Sequence, residues 1–145
     1  MAIIRKATKK DWKDISDIFI KESSKKPYSQ KWTKKTAFDK VKEFLKENET
    51  YVALVNKKIV GFASLNITVE GNGKGATVRE LWLKSEFQGQ GIGKMLIKFV
   101  EDKCKNNGIG SIFLISNKTS KAFGFYKKIG YKTYDKDILM GKKLK

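Results

Sequence analysis

A chain of 145 residues with 40% hydrophobic and 12% aromatic residues is one domain in size, able to bury a real core and too apolar for disorder. Its 32 Lys+Arg against 15 Asp+Glu give a net charge of +17, and no run of about 18 apolar residues marks a membrane span. No histidine and a single cysteine, Cys104, exclude an internal disulfide, Cys/His zinc sites and Ser-His-Asp or Cys-His catalysis, leaving a carboxylate, lysine, tyrosine or water as general base.

The opening MAIIRKATKKDWKD has no apolar core of a secretory signal, so the expected location is cytoplasmic. Residues 2–6 (AIIRK) read as a first strand. Thr8 then caps a helix, with Asp11 at the acidic N3 position and Trp12, Ile15, Ile18 and Phe19 on one face. The only proline, Pro27, falls in a loop before a second helix from about Thr33, whose inner face carries Ala37, Val41, Phe44 and Leu45. YVALV (51–55) and IVGFASLNITV (59–69) flank the turn Asn56-Lys57-Lys58 and predict a hairpin. GNGKG (71–75) reads as a flexible loop and ATVRELWLK (76–84) as the next strand. Ile92, Met95, Leu96, Phe99, Val100 and Cys104 make 91–107 an amphipathic helix, stopped by Gly108. IFLI (112–115) predicts a short buried strand, 120–129 a helix stopped by Gly130, and Tyr131–Tyr134 with Ile138–Leu144 a closing hairpin. The predicted order is β-α-α-β-β-β-α-β-α-β-β, a mixed α/β domain covering 1–145.

Chemistry concentrates in ELWLKSEFQGQGIGKMLIKFVE, where a strand ends, a glycine-rich loop follows and a long helix begins. Gly89, Gly91 and Gly93 let the backbone turn sharply and leave amide N–H groups uncovered at a helix N-terminus, a site for a phosphate or diphosphate. The spacing fails the Walker A pattern, with Met95 after Lys94, and falls one residue short of the dinucleotide fingerprint. It does fit Gln/Arg-x-x-Gly-x-Gly/Ala, read as Gln88-Gly89-Gln90-Gly91-Ile92-Gly93. With the preceding strand Arg79-Glu80-Leu81-Trp82-Leu83, the stretch Lys121–Tyr131 (KAFGFYKKIGY) and the opening IIRKAT, the chain resembles the GNAT N-acetyltransferase superfamily over essentially its whole length.

That resemblance implies a mostly antiparallel central sheet flanked by helices, and transfer of an acetyl group from acetyl-CoA to a primary amine without a metal. It places the diphosphate of coenzyme A on Gln88, Gly89, Gln90, Gly91, Ile92, Gly93 and Lys94. It pairs the backbone of Leu81, Trp82 and Leu83 with the pantetheine arm, the Leu81 N–H facing the acetyl oxygen. It assigns protonation of the leaving thiolate to Tyr126. The family commonly has an asparagine seven residues before that tyrosine; here Thr119 stands there and Asn117 lies two positions away, so either is the candidate polar contact to pantetheine.

Cys104 falls on an apolar helix face, which argues against a covalent acetyl-enzyme and for direct attack by the amine. The base candidate is Glu80, which by alternation should share one side of its strand with Val78 and Trp82, where burial would raise its pKa. Glu70, beside GNGKG, is the second candidate. Tyr28, Trp32 and residues 71–75 are expected walls for an acceptor whose identity the sequence leaves open. The rival reading is a coenzyme A sensor or a basic nucleic-acid-associated protein on the same fold. Of the 32 cationic residues only Arg5 and Arg79 are arginines, so the charge reads mainly as a solvated lysine surface. Sequence-specific nucleic-acid binding and membrane binding are therefore not expected, and the chain is expected to be a monomer or homodimer.

Overall fold

All 145 residues are described by a computed structural model. They form two units, Met1–Ile115 and Ser116–Lys145. In the first unit, five strands make one sheet in the order β1-β2-β3-β4-β5: Ala2–Lys6, Glu49–Val55, Lys58–Glu70, Gly73–Leu83 and Ser111–Leu114. The first four are antiparallel neighbours, and β5 joins β4 in parallel. This is the mixed, mostly antiparallel sheet that the family resemblance implies. Helices α1 (Trp12–Ser23) and α2 (Lys34–Glu47) cover one face, and α3 (Ile92–Asn106) covers the other.

Alternation explains the layers. Val52 and Phe62, directly paired across β2 and β3, face α1 and α2 and pack with Ile15, Ile18, Phe19, Val41 and Phe44. Tyr51, the neighbour of Val52, points the other way onto Phe99 of α3. Trp12 stays 41% exposed, at the edge of this core, with its ring against Phe38. The turn from β1 into α1 is fixed by charge: Asp11 accepts both Arg5 guanidinium nitrogens (2.7 and 3.0 Å) and the Thr8 N–H (2.8 Å).

Three expectations about turns and edges in this unit need correction. The hairpin turn is two residues, Asn56-Lys57, both at positive φ, because that left-handed pair matches the twist of the flanking strands. GNGKG is no flexible loop: Gly73 opens β4 opposite Glu70, and Gly75 pairs with Thr68. Glycine suits position 75 because a Cβ there would sit 3.0 Å from the Glu70 side chain. The strand 111–114 is only half-buried, since it is the sheet's edge.

In the second unit, Ser120 caps α4 (Lys121–Lys128) by accepting from the Phe123 N–H (3.3 Å). Gly130, at φ 102°, ends it: the Tyr131 N–H returns to the Tyr126 carbonyl (3.0 Å) and the Gly130 N–H to Lys127 (3.2 Å). The rings of Tyr126 and Tyr131, 5.5 Å apart, supply the apolar contact usual at such a stop. The predicted closing hairpin does not form. The Tyr131 amide is spent on the helix stop, a turn at Asp135-Lys136 follows, and Ile138–Leu144 carries no strand.

Candidate active site

The bulge in β4 organises the candidate site. Glu80 pairs with Ser64 and Val78 with Leu65, so two consecutive residues of β3 face residues two apart in β4, and Arg79 is the extra one. Ser64 and Leu65 point to opposite faces, and therefore so do Glu80 and Val78. The expected common face of Val78, Glu80 and Trp82 is corrected accordingly: Glu80 and Trp82 share the α1/α2 face, and Val78 turns to the other side. The bulge also marks the end of β5's reach. The β4–β5 ladder runs only from Gly75–Ser111 to Val78–Leu114, so Arg79–Leu83 has β3 on one side and no strand on the other.

On the α1/α2 face, Glu80 Oε2 accepts from the Trp82 indole Nε1 at 2.6 Å. Burial pushes the Glu80 carboxyl above the ordinary carboxylate range, while the indole hydrogen bond and the charges of Lys40 and Arg79 pull against it. The Trp82 ring lies 4.9 Å from Tyr28 and 6.0 Å from Phe19, and the Phe19 ring lies 4.8 Å from Trp32. Tyr28 thus belongs to the surroundings of Glu80, and Trp32 is one ring further off. Lys40 and Glu43, paired at 3.2 Å on α2, contribute to its field, although the sequence reading did not single them out. Nothing in the sequence marks this pair out, because α2 carries charges along most of its length and only Ala37, Val41 and Phe44 are buried. Glu70 pairs with Gly73 at the opposite end of the hairpin and accepts from Thr68 Oγ1 (2.7 Å), remote from Glu80 along β4.

Beyond Leu83 the chain makes a 3-10 turn, Ser85–Phe87, and enters the glycine loop. Gly89 and Gly91 stand at φ 76° and 84°, and an added Cβ at either would meet nothing within 4 Å, so one side of this loop is open. Gly91 is the N-cap of α3 and offers no side-chain acceptor, leaving the first-turn amides of Ile92, Gly93 and Lys94 without helical partners. The Ile92 side chain is buried and Lys94 is exposed. Both glutamines brace the loop from within: Gln88 Nε2 donates to the Leu83 carbonyl and Gln90 Nε2 to the Glu86 carbonyl, each at 3.1 Å. A groove of 460 Å³ between β1 and α3 touches the loop at Gly91 and Lys94 and leaves Glu80 and Trp82 outside.

In the second unit, Tyr126 is 8% exposed and packed beside Phe125 and Tyr131. The two alternatives for a pantetheine contact are bonded to each other: Asn117 Oδ1 accepts from the Thr119 N–H (2.8 Å) and hydroxyl (2.7 Å). Cys104 is buried in α3, where burial raises its thiol pKa, the opposite of what a nucleophilic thiolate needs.

In the first unit, then, a mixed sheet whose bulged fourth strand runs on beyond its parallel neighbour leads into an open glycine loop at a helix N-terminus. The match to the acetyltransferase (GNAT) family model spans residues 12–131, and the chain belongs to that family. An uncharacterized N-acetyltransferase of Methanocaldococcus jannaschii is 30% identical over 146 residues, covering 95% of this chain and 63% of the relative. The chain spans about three fifths of the length of the first two curated relatives it matches (57% and 63%). Among solved structures, a possible acetyltransferase from Clostridium difficile 630 superposes with a TM-score of 0.86 at 16% identity, covering 100% of this chain and 99% of that one. A transcriptional regulator from Bacillus halodurans C-125 gives a TM-score of 0.80 at 25% identity, covering 97% and 99%. No helix is long and apolar enough to cross a membrane.

Proposed function

We propose that this chain is an N-acetyltransferase that moves an acetyl group from acetyl-CoA to a primary amine by direct attack in a ternary complex, with residues 1–145 acting as one domain. The observation that carries the reading is the end of β4: an edge without a neighbouring strand from Arg79 to Leu83, leading into a loop whose amides are uncovered. The pantetheine arm is extended and carries amides, so it pairs with the backbone of Leu81, Trp82 and Leu83 as an added strand would. The first-turn amides of α3 take the diphosphate, helped by the helix dipole and the Lys94 charge. Glutamines 88 and 90 act by holding the loop's shape. Asn117 or Thr119 supplies a polar contact to the pantetheine arm, a role that rests on their places before Tyr126 in the sequence.

An amine with a pKa of about 10 must lose a proton before it attacks the thioester. Glu80 accepts that proton, directly or through a water, and its raised pKa makes it a better base than an exposed carboxylate. Tyr126 gives a proton to the departing thiolate, a role that rests on its place in the Lys121–Tyr131 motif. The acetyl donor comes from the cytoplasmic pool. No acetyl-enzyme is needed, in keeping with the buried, raised-pKa thiol of Cys104.

The test is turnover of acetyl-CoA by the purified chain against a panel of polyamines, aminoglycosides, peptide N-termini and lysine peptides, read as released thiol. Amine-dependent release with at least one class is expected. Coenzyme A binding with no turnover across the panel would favour the sensor reading.

A further inference from the structure

We infer that Glu22, at the end of α1, is the positioning residue of the glycine loop, acting through Ser85; the inference rests on reading that loop as the diphosphate site. Glu22 is only 4% exposed, on a helix whose other inward residues include Ile15, Ile18 and Phe19. A carboxylate in such a place is costly unless its oxygens are satisfied. They are: Oε1 accepts from the Ser85 hydroxyl at 2.8 Å and Oε2 from the Ser85 N–H at 3.3 Å. Lys25 Nζ reaches both oxygens at 3.2 and 3.1 Å and also meets the Ser85 hydroxyl.

Ser85 is the first residue of the turn Ser85–Phe87, and its N–H has no partner within that turn. Lys84, the local cap position, supplies no side-chain acceptor. Glu22 does the capping instead, from 63 residues away in the chain. The loop is tied back to this turn: the Gln88 N–H donates to the Ser85 carbonyl (3.2 Å) and Gln90 Nε2 to the Glu86 carbonyl (3.1 Å). The residue before the turn is held by β3, through Lys84 N–H to Val60 carbonyl (2.8 Å). The entry to the loop is therefore set by two anchors, one in β3 and one in α1. Moving Ser85 moves the amides that follow it.

Geometry and charge predict opposite signs, which makes the inference testable. By Coulomb's law alone, removing a carboxylate near an anion site strengthens anion binding. By positioning, it weakens binding. The experiment is calorimetry of the full chain with coenzyme A, together with KM for acetyl-CoA and kcat, for wild type, Glu22→Gln, Glu22→Ala, Ser85→Ala and the Glu22→Ala/Ser85→Ala double variant. Thermal melts establish that each is folded, and Glu22→Gln keeps an acceptor for the Ser85 hydroxyl should the alanine variant not fold. Kd and KM should rise about tenfold in Glu22→Ala and less in Glu22→Gln, with kcat at saturating acetyl-CoA nearly unchanged. The double variant should be no worse than Glu22→Ala, since both ends of one contact are then gone. Folded Glu22 variants that bind coenzyme A as well as wild type, or more tightly, would overturn the inference while leaving the proposed function standing. A wild type that binds no coenzyme A would overturn both.

Discussion

At Glu80, burial and a nearby indole act on one carboxyl in opposite directions, and burial prevails. The folded state thus holds this proton more tightly than the unfolded chain does. The stability that Glu80 contributes is complete below the ordinary carboxylate range and is lost as pH rises through the raised folded value. Glu80→Gln cannot ionise, so its melting temperature should gain on that of wild type as pH is taken from about 4 to neutrality. Thermal melts across that range check the sign. With a defined amine, the same variant should lose turnover by about 10²–10⁴-fold near neutral pH and recover as pH rises, because more amine then arrives neutral. Parallel pH–rate profiles would remove Glu80 as the base. Tyr126→Phe keeps the ring between Phe125 and Tyr131 and loses only the hydroxyl. Its turnover should fall by about 10²–10⁴-fold in a chemistry-limited assay, with coenzyme A affinity held. Wild-type turnover would make Tyr126 a packing residue alone.

Among the elements, the loop and α3 carry the next prediction. Gly91 sits at φ 84° with open space where a Cβ would go. Alanine there meets no atom but carries the strain of a left-handed backbone, about 1–2 kcal/mol. Gly91→Ala should melt slightly lower and bind coenzyme A more weakly, as calorimetry beside a melt would show; a bulkier β-branched residue would confuse strain with blockade. Much of this element was legible, because the Gln88–Gly93 spacing and the helical spacing of Ile92, Leu96, Val100 and Cys104 are local patterns. The bulge was not. Arg79 is neither glycine nor proline, and only the register against Ser64 and Leu65 reveals that it is extra. The same limit hid Glu22, whose partner Ser85 is 63 residues distant, and misread Gly75, where glycine answers to the Glu70 side chain across the hairpin. The final hairpin was misread because alternation in Tyr131–Tyr134 says nothing of where the Tyr131 amide is already engaged.

At the scale of the whole molecule, the charge of +17 is spread over lysines, and few have acidic partners: Lys25–Glu22, Lys35–Asp39, Lys40–Glu43 and Lys98–Asp102. Point charges on flexible stems attract polyanions without reading bases. Duplex DNA should therefore bind weakly, with steep salt dependence and no preference among sequences near 150 mM salt. Fluorescence anisotropy with two unrelated duplexes checks this, and strong preference for one would make the basic surface functional.

The register at Arg79 has a genetic corollary. Val78 and Glu80 already stand opposite adjacent residues of β3, so excising Arg79 leaves every other rung of the β3–β4 ladder in place. What vanishes is the bulge, and with it the local bend and extra twist a bulge gives its strand, at the rung where pairing with β5 ends. The three nucleotides that encode Arg79 thus separate two heritable properties, an intact sheet and an opening in it. A chain lacking Arg79 should melt cooperatively and fail to take up coenzyme A in calorimetry, whereas undiminished uptake would mean that the opening owes nothing to the bulge.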